Sequence, residues 1–163
     1  MTLNNTFTKG EWIVHPMYGI GRVQRTEKKV LSGKKAEYFR VETEESVFWV
    51  PVEEELNGRI RPLSSPSQLR EALNSFKNPA SNMASNYKQR RKRINEAIAN
   101  NSLVIRCKLL RDLFAMQERK PLSMGEKQVF DLFQNLLLQE WSLCVDVPIK
   151  EIRCRYQQLL GKG

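Results

Sequence analysis

Two periods divide the chain. From Trp12 to about Glu53, β-forming residues come in short runs, Trp12 and Val14, Ile20 and Val23, Tyr38 and Val41, then Val47, Phe48 and Val50. Turn residues separate them: His15-Pro16, Gly19 and Gly21, Ser32-Gly33, and Glu44-Glu45-Ser46. β-branched and aromatic residues suit a pleated, half-buried surface, so short strands at this spacing predict a small barrel or curled sheet. The acidic stretch Glu53-Glu54-Glu55 and then Asn57-Gly58 end it.

Beyond Arg61 the period becomes helical. Ser65-Pro66-Ser67-Gln68 supplies a cap residue, proline at the first helical position and Gln three after the cap, so a helix is expected through about Phe76, stopped by Asn78-Pro79. A second should run from roughly Ser85 to Ala99 with Ile94, Ala97 and Ile98 buried, closed by Asn100-Asn101. Ser102 opens a third, with Val104, Leu109, Leu110, Leu113 and Phe114 inward. A second capping box, Ser123 to Glu126, precedes Val129, Leu132, Phe133, Leu136 and Leu137 at three- and four-residue steps. A last short helix follows Pro148. The expected class is α+β: a small β-barrel over 1–63, then a compact bundle of about five α-helices over 64–163.

Charge sharpens this division. The 163 residues carry a formal net charge of +9. Through Leu63 there are ten Lys and Arg against nine Asp and Glu; from Ser64 onward the balance is 17 against nine. Only the second half is built for a polyanion. Within it, Lys88, Arg90, Arg91, Lys92 and Arg93 are cationic with no acid among them until Glu96. A solvated helix face normally intersperses acids for i,i+4 pairing, so an external anion, phosphate, is the expected relief of this self-repulsion.

Composition is 40% hydrophobic and 28% charged, enough apolar matter for a packed core. No run approaches the ~20 apolar residues of a membrane span, and the start lacks a secretory signal pattern. The expectation is a protein that stays in the cytoplasm. Cys107, Cys144 and Cys154 are odd in number and widely spaced, which fits free thiols better than a disulfide framework or zinc knuckle. The single histidine, His15, leaves no second imidazole for a metal site or a Ser-His-Asp relay. Gly19-Ile20-Gly21 has two glycines where a dinucleotide loop needs three. Glu53, Glu54 and Glu55 in an extended chain would alternate faces and not converge. No enzyme, cofactor, metal or small-molecule substrate is expected.

The segment Phe7-Thr-Lys9-Gly10-Glu11-Trp12-Ile13-Val14-His15-Pro16-Met17-Tyr18-Gly19-Ile20-Gly21-Arg22-Val23 resembles the opening of the CarD/CdnL family of bacterial transcription regulators. Ser32-Gly33, Glu37-Tyr38 and Val50-Pro51 fall where that family places its hairpin turn, next strand and last barrel strand. Arg111-Asp112-Leu113-Phe114, Gln117-Glu118-Arg119 and Leu122 to Lys127 are similar to its most recognisable helical stretch. The resemblance covers nearly the whole chain and fades after about Trp141. The first half alone also resembles the polymerase-binding module of the transcription-repair coupling factor, whose helicase motifs are missing here.

The resemblance implies a Tudor-like barrel that docks on the β subunit of bacterial RNA polymerase, joined to a helical domain that touches promoter DNA at the upstream edge of the melted bubble. Such proteins stabilise the open complex without catalysis and, by expectation here, as a monomer. Residues matching the family's polymerase contact are Lys29, Leu31 and Trp49, the last where the family often has arginine. The family's DNA-facing helix begins with an Asn-Trp pair whose indole acts as a wedge; here the pair reads Asn86-Tyr87. Tyrosine retains a flat apolar face of smaller area. Tyr87 lies seven residues before Ile94, which would put it on the buried side of its helix, so a core-capping role competes with the wedge. Arg90 and Lys92 match DNA-contacting positions, and with Lys88 are expected on the backbone; Arg91 and Arg93 add general attraction. The competing expectation is a stand-alone, site-specific DNA-binding repressor or activator.

Overall fold

A computed structural model of the protein describes residues 7–56 and 58–161, apart from the side chains of Leu31 and Leu56. The chain divides into two compact units, Met1–Leu63 and Ser64–Gly163.

The first unit is an antiparallel five-stranded sheet in the order β4-β3-β2-β1-β5, formed by β1 (Trp12–His15), β2 (Gly19–Leu31), β3 (Lys34–Glu42), β4 (Val47–Pro51) and β5 (Arg61–Pro62). Its core is Phe7, Ile13, Val23, Phe39, Val41, Val50, Val52 and Ile60, with Phe48 packed against it. The long β2–β3 hairpin closes through Ser32 and Gly33, both at positive φ (54° and 77°), which matches the twist of flanking strands. Gly21 is required for closeness: a Cβ there would come within 2.5 Å of Val41 Cγ1 and 3.0 Å of the Glu42 carbonyl oxygen.

The β2–β3 register shifts between Val23 and Arg25. Before the shift Val23 faces buried Val41, and after it Arg25 faces Arg40, which in turn faces Trp49. One extra residue therefore exchanges the faces of β2. Arg25, Glu27 and Lys29 thereby share the outer face with Arg40 and Trp49.

Two expectations are corrected here. Glu53, Glu54 and Glu55 are not extended but form a single helical turn, α1 (Glu53–Leu56), and they do not alternate faces as a strand would. The chain then returns to pair β5 with β1, a strand too short for a period to reveal.

The second unit holds α2 (Pro66–Leu73), a 3-10 turn (Asn74–Lys77), α3 (Tyr87–Ala99), α4 (Leu103–Gln117), α5 (Met124–Val145) and α6 (Ile149–Gly161). Both sequence-read capping boxes form: Ser65 with Gln68 at α2 and Ser123 with Glu126 at α5. Ser102 caps α4. Leu109, Leu110, Leu113, Phe133, Leu137, Ile152 and Tyr156 lie at the centre of the core. The Tyr156 hydroxyl donates to Gln134 Oε1 at 2.8 Å, and burial raises its pKa. Entry to α2 is tied to α5: the Ser64 amide donates to Glu140 Oε2 at 2.9 Å, and Cys144 Sγ donates to the Ser64 carbonyl at 3.2 Å. All three cysteines are free thiols, Cys107 buried, Cys144 half-buried and Cys154 exposed. Among the described residues no helix is long and apolar enough to cross a membrane.

Candidate functional site

On the outer face of the sheet, the structure brings Lys29 and Trp49 together. Trp49 is 37% exposed, and the Lys29 ammonium sits 3.4 Å from the centroid of its ring. The indole N–H donates to Glu27 Oε2 at 3.0 Å. Glu27 also accepts from Arg25 Nε at 2.6 Å and lies 3.9 Å from Lys29 Nζ. Hydrogen bonds from Arg25 and then Trp49 lower the pKa of this carboxyl. The Arg40 guanidinium lies 5.8 Å from the same ring. A carboxylate thus fixes the indole edge while cations lie against it, leaving an amphipathic aromatic surface open to solvent.

Leu31 closes β2 opposite Lys34; its side chain lies outside the described residues. Glu27 and Arg40 were invisible as members of this patch in the sequence. The alternation 25, 27, 29 could have suggested Glu27, but Arg40 needed the strand register.

His15 and Glu54 belong to the framework of this unit. His15 Nδ1 accepts from the Met17 and Tyr18 amides at 3.1 and 3.0 Å, which requires the neutral ring's proton on Nε2, and Nε2 lies 3.4 Å from Glu54 Oε2. The imidazole stacks on Tyr18 at 4.5 Å and so shapes the β1–β2 turn.

In the helical unit, Asn86 and Tyr87 begin α3 as the sequence placed them. Asn86 is the N-cap, its Oδ1 accepting from the Lys88 amide at 2.8 Å. Tyr87 is 48% exposed, so it does not cap the core; the first turn of the helix projects past the buried stripe that begins at Arg90.

The five cations separate sharply. Lys88, Arg91 and Lys92 are exposed and, with Asn95, Glu96 and Ala99, line a shallow groove along the outer face of α3. Arg93 is half-buried, and its Nη2 donates to Asp112 Oδ2 at 2.7 Å. Arg90 is a correction: only 6% exposed, it donates through Nε to Glu126 Oε2 at 2.9 Å and through Nη1 to the carbonyls of Ala84 and Ser85 at 3.1 and 2.9 Å. Its guanidinium is occupied inside the fold and is not available to phosphate. Charge and a match to a family position marked Arg90 as a contact; burial was the missing information.

The residues that hold the segment before α3 come from α4, its C-terminal end and α5. Asp112, 1% exposed, accepts from the Ser81 amide at 2.9 Å and from Arg111 Nε at 2.9 Å as well as from Arg93. Arg119 Nη2 donates to Asn82 Oδ1 at 3.2 Å. Glu126 uses Oε1 to accept the Ser123 amide at 3.0 Å and Oε2 to accept Arg90. Burial pushes its pKa up, but the Ser123 and Arg90 hydrogen bonds outweigh this and lower it. Arg111, Asp112 and Arg119, read only as part of a recognisable stretch, and Glu126, read also as a capping residue, thus support the segment from Ser81 to Ser85 that leads into α3.

Comparison with known proteins decides the relationship. Residues 7–64 match the family described as "CarD-like/TRCF RID domain", and residues 71–156 match "CarD, C-terminal domain". The chain belongs to the CarD-like family. The match to the CarD C-terminal domain extends past Trp141, where the resemblance read from residues alone faded, and takes in most of α6. A protein of Bacillus subtilis (strain 168) named "Putative transcription factor YdeB" is 26% identical over 149 residues, 90% of this chain and 97% of that protein. The first unit, a five-stranded antiparallel sheet, has the Tudor-like fold of the CarD-like/TRCF RID domain.

Proposed function

We propose that this CarD-like protein is a non-enzymatic transcription regulator that binds the RNA polymerase β subunit with its sheet and promoter DNA with α3. The observation that carries this reading is the outward set Tyr87, Lys88, Arg91 and Lys92 on one short helix, in a unit that holds nearly all of the cationic surplus. Lysine and arginine at that spacing suit successive phosphates, and an exposed ring at the helix start suits an opened base step. Asn86 contributes as the cap that sets where the helix begins. Membership of the CarD-like family over both units, and the transcription-factor name of the B. subtilis relative, support the same class.

On the sheet, Lys29, Trp49 and the neighbouring Leu31 are the proposed polymerase contact. An indole held at its edge by Glu27 has the character of an interface anchor, and tryptophan is enriched at such positions. The two grips work together if the protein binds open complex more tightly than closed: the equilibrium shifts by that differential affinity alone. The location implied is the nucleoid of a bacterial cytoplasm.

The test is open-complex lifetime on a linear promoter with purified polymerase, with and without the protein, alongside binding to the isolated β fragment. A longer lifetime and binding to the fragment are expected. Tight, sequence-selective binding to duplex DNA without polymerase would instead make the protein a stand-alone repressor or activator.

A further inference from the structure

We propose that the buried Arg90–Glu126 pair is a positioning device that sets the orientation of the Tyr87 ring; the inference rests on the reading that this ring meets DNA. Arg90 is sequestered at 6% exposure and Glu126 at 4%. A buried ion pair is seldom the most stabilising way to fill such a space, and its best-attested use is to specify one geometry. Here the geometry specified is the junction between the segment ending at Ser85 and the first turn of α3.

The arrangement works outward from α5. The capping box fixes the Glu126 carboxylate, because Oε1 is held by the Ser123 amide at 3.0 Å. The remaining oxygen, Oε2, then fixes Arg90 Nε at 2.9 Å. The planar guanidinium, so oriented, places Nη1 on the carbonyls of Ala84 and Ser85 and its carbon 5.5 Å from the Tyr87 ring centroid. A half-exposed tyrosine has two soft torsions and, unsupported, samples several rotamers. A cation beneath its face favours one of them. A ring that enters a base step already oriented avoids the ordering cost of binding. Lysine could supply the charge but not the planar fork that reaches three acceptors and still presents a face to the ring.

Glu126→Gln tests this: glutamine at the third helical position retains the capping box, while the charge that holds the buried Arg90 guanidinium is removed. 3-Fluorotyrosine placed at Tyr87 alone reports the ring by 19F NMR without DNA or polymerase. The single resonance of the parent protein is expected to shift or broaden in Glu126→Gln and again in Arg90→Lys, the second variant covering the case in which the first unfolds. In the polymerase assay, Glu126→Gln is expected to shorten open-complex lifetime about fivefold when Tyr87 is present and to leave it unchanged in a Tyr87→Ala background, the coupling expected of residues that act as one unit. An unchanged 19F resonance in folded variants, or equal losses of lifetime in both backgrounds, overturns the proposal. Should Tyr87→Ala itself leave the lifetime intact, the DNA role of Tyr87 fails, and the 19F result alone decides whether the pair positions the ring.

Discussion

Lys29 and Trp49, from different strands that are not themselves neighbours in the sheet, stack with the ammonium 3.4 Å from the indole centroid. They meet across β3 on the outer face, with Glu27 accepting from the Trp49 indole N–H at 3.0 Å and paired in charge with Lys29 Nζ at 3.9 Å. A cation over an indole face is worth about 0.5–1 kcal/mol at an exposed site, too little to explain folding but enough to hold one rotamer.

Trp49→Ala should therefore weaken binding to the polymerase β fragment by ~30-fold or more, the loss of about 2 kcal/mol typical of an interface anchor, while lowering unfolding free energy by only about 1 kcal/mol, for the lost cation–π contact and indole hydrogen bond. Titration calorimetry and urea denaturation measure the two. Unaltered affinity in both Trp49→Ala and Lys29→Glu would move the interface off this face.

Arg90 and Lys92 should behave as opposites despite lying two residues apart on the same helix. Arg90→Ala leaves Glu126 buried without its partner and is expected to cost about 3–5 kcal/mol of stability. Lys92→Ala should leave the melting temperature unchanged and lower the salt slope of DNA binding by about 1. Lys88→Ala and Arg91→Ala should follow Lys92. A salt slope insensitive to all three would remove α3 as a phosphate contact.

Stability should fall in acid through Glu126. Its carboxyl titrates below the ordinary range in the folded chain because the Ser123 and Arg90 hydrogen bonds outweigh burial. A depressed folded pKa means a contribution fully present above the unfolded value, about 4.3, and lost as pH falls through the folded one. Melting curves between pH 6 and pH 3 should show the decline, and Glu126→Gln should flatten it. Parallel curves for the two proteins would show that other carboxylates dominate.

Gly21→Ala should damage the sheet. The added methyl would overlap Val41 Cγ1 at 2.5 Å and press on the Glu42 carbonyl, and overpacking of this kind costs about 1–3 kcal/mol. Denaturation followed by tryptophan fluorescence would report it, with Gly33→Asn, a tolerated residue at positive φ, as a milder control.

Much of the fold was legible in the residues. Helix starts at Ser65, Ser102 and Ser123 follow from local chemistry, because a hydroxyl that accepts an amide three residues on is decided within one turn. The strand runs and the Ser32-Gly33 turn are equally local, and the split in charge at Leu63 required only counting. Asn86, Tyr87 and Trp49 were singled out by position in a family pattern. What the chain alone left open was which of several similar groups faces which way. Lys88, Arg90, Arg91, Lys92 and Arg93 are one basic run in sequence, and burial divides them by whether α4 or α5 offers a carboxylate: Glu126 takes Arg90, Asp112 takes Arg93, and the others stay outside. A single-residue bulge after Val23 likewise decides that Lys29 shares a face with Trp49. Both outcomes depend on partners distant in sequence, and only the packing of helix on helix and strand on strand brings them within hydrogen-bonding reach.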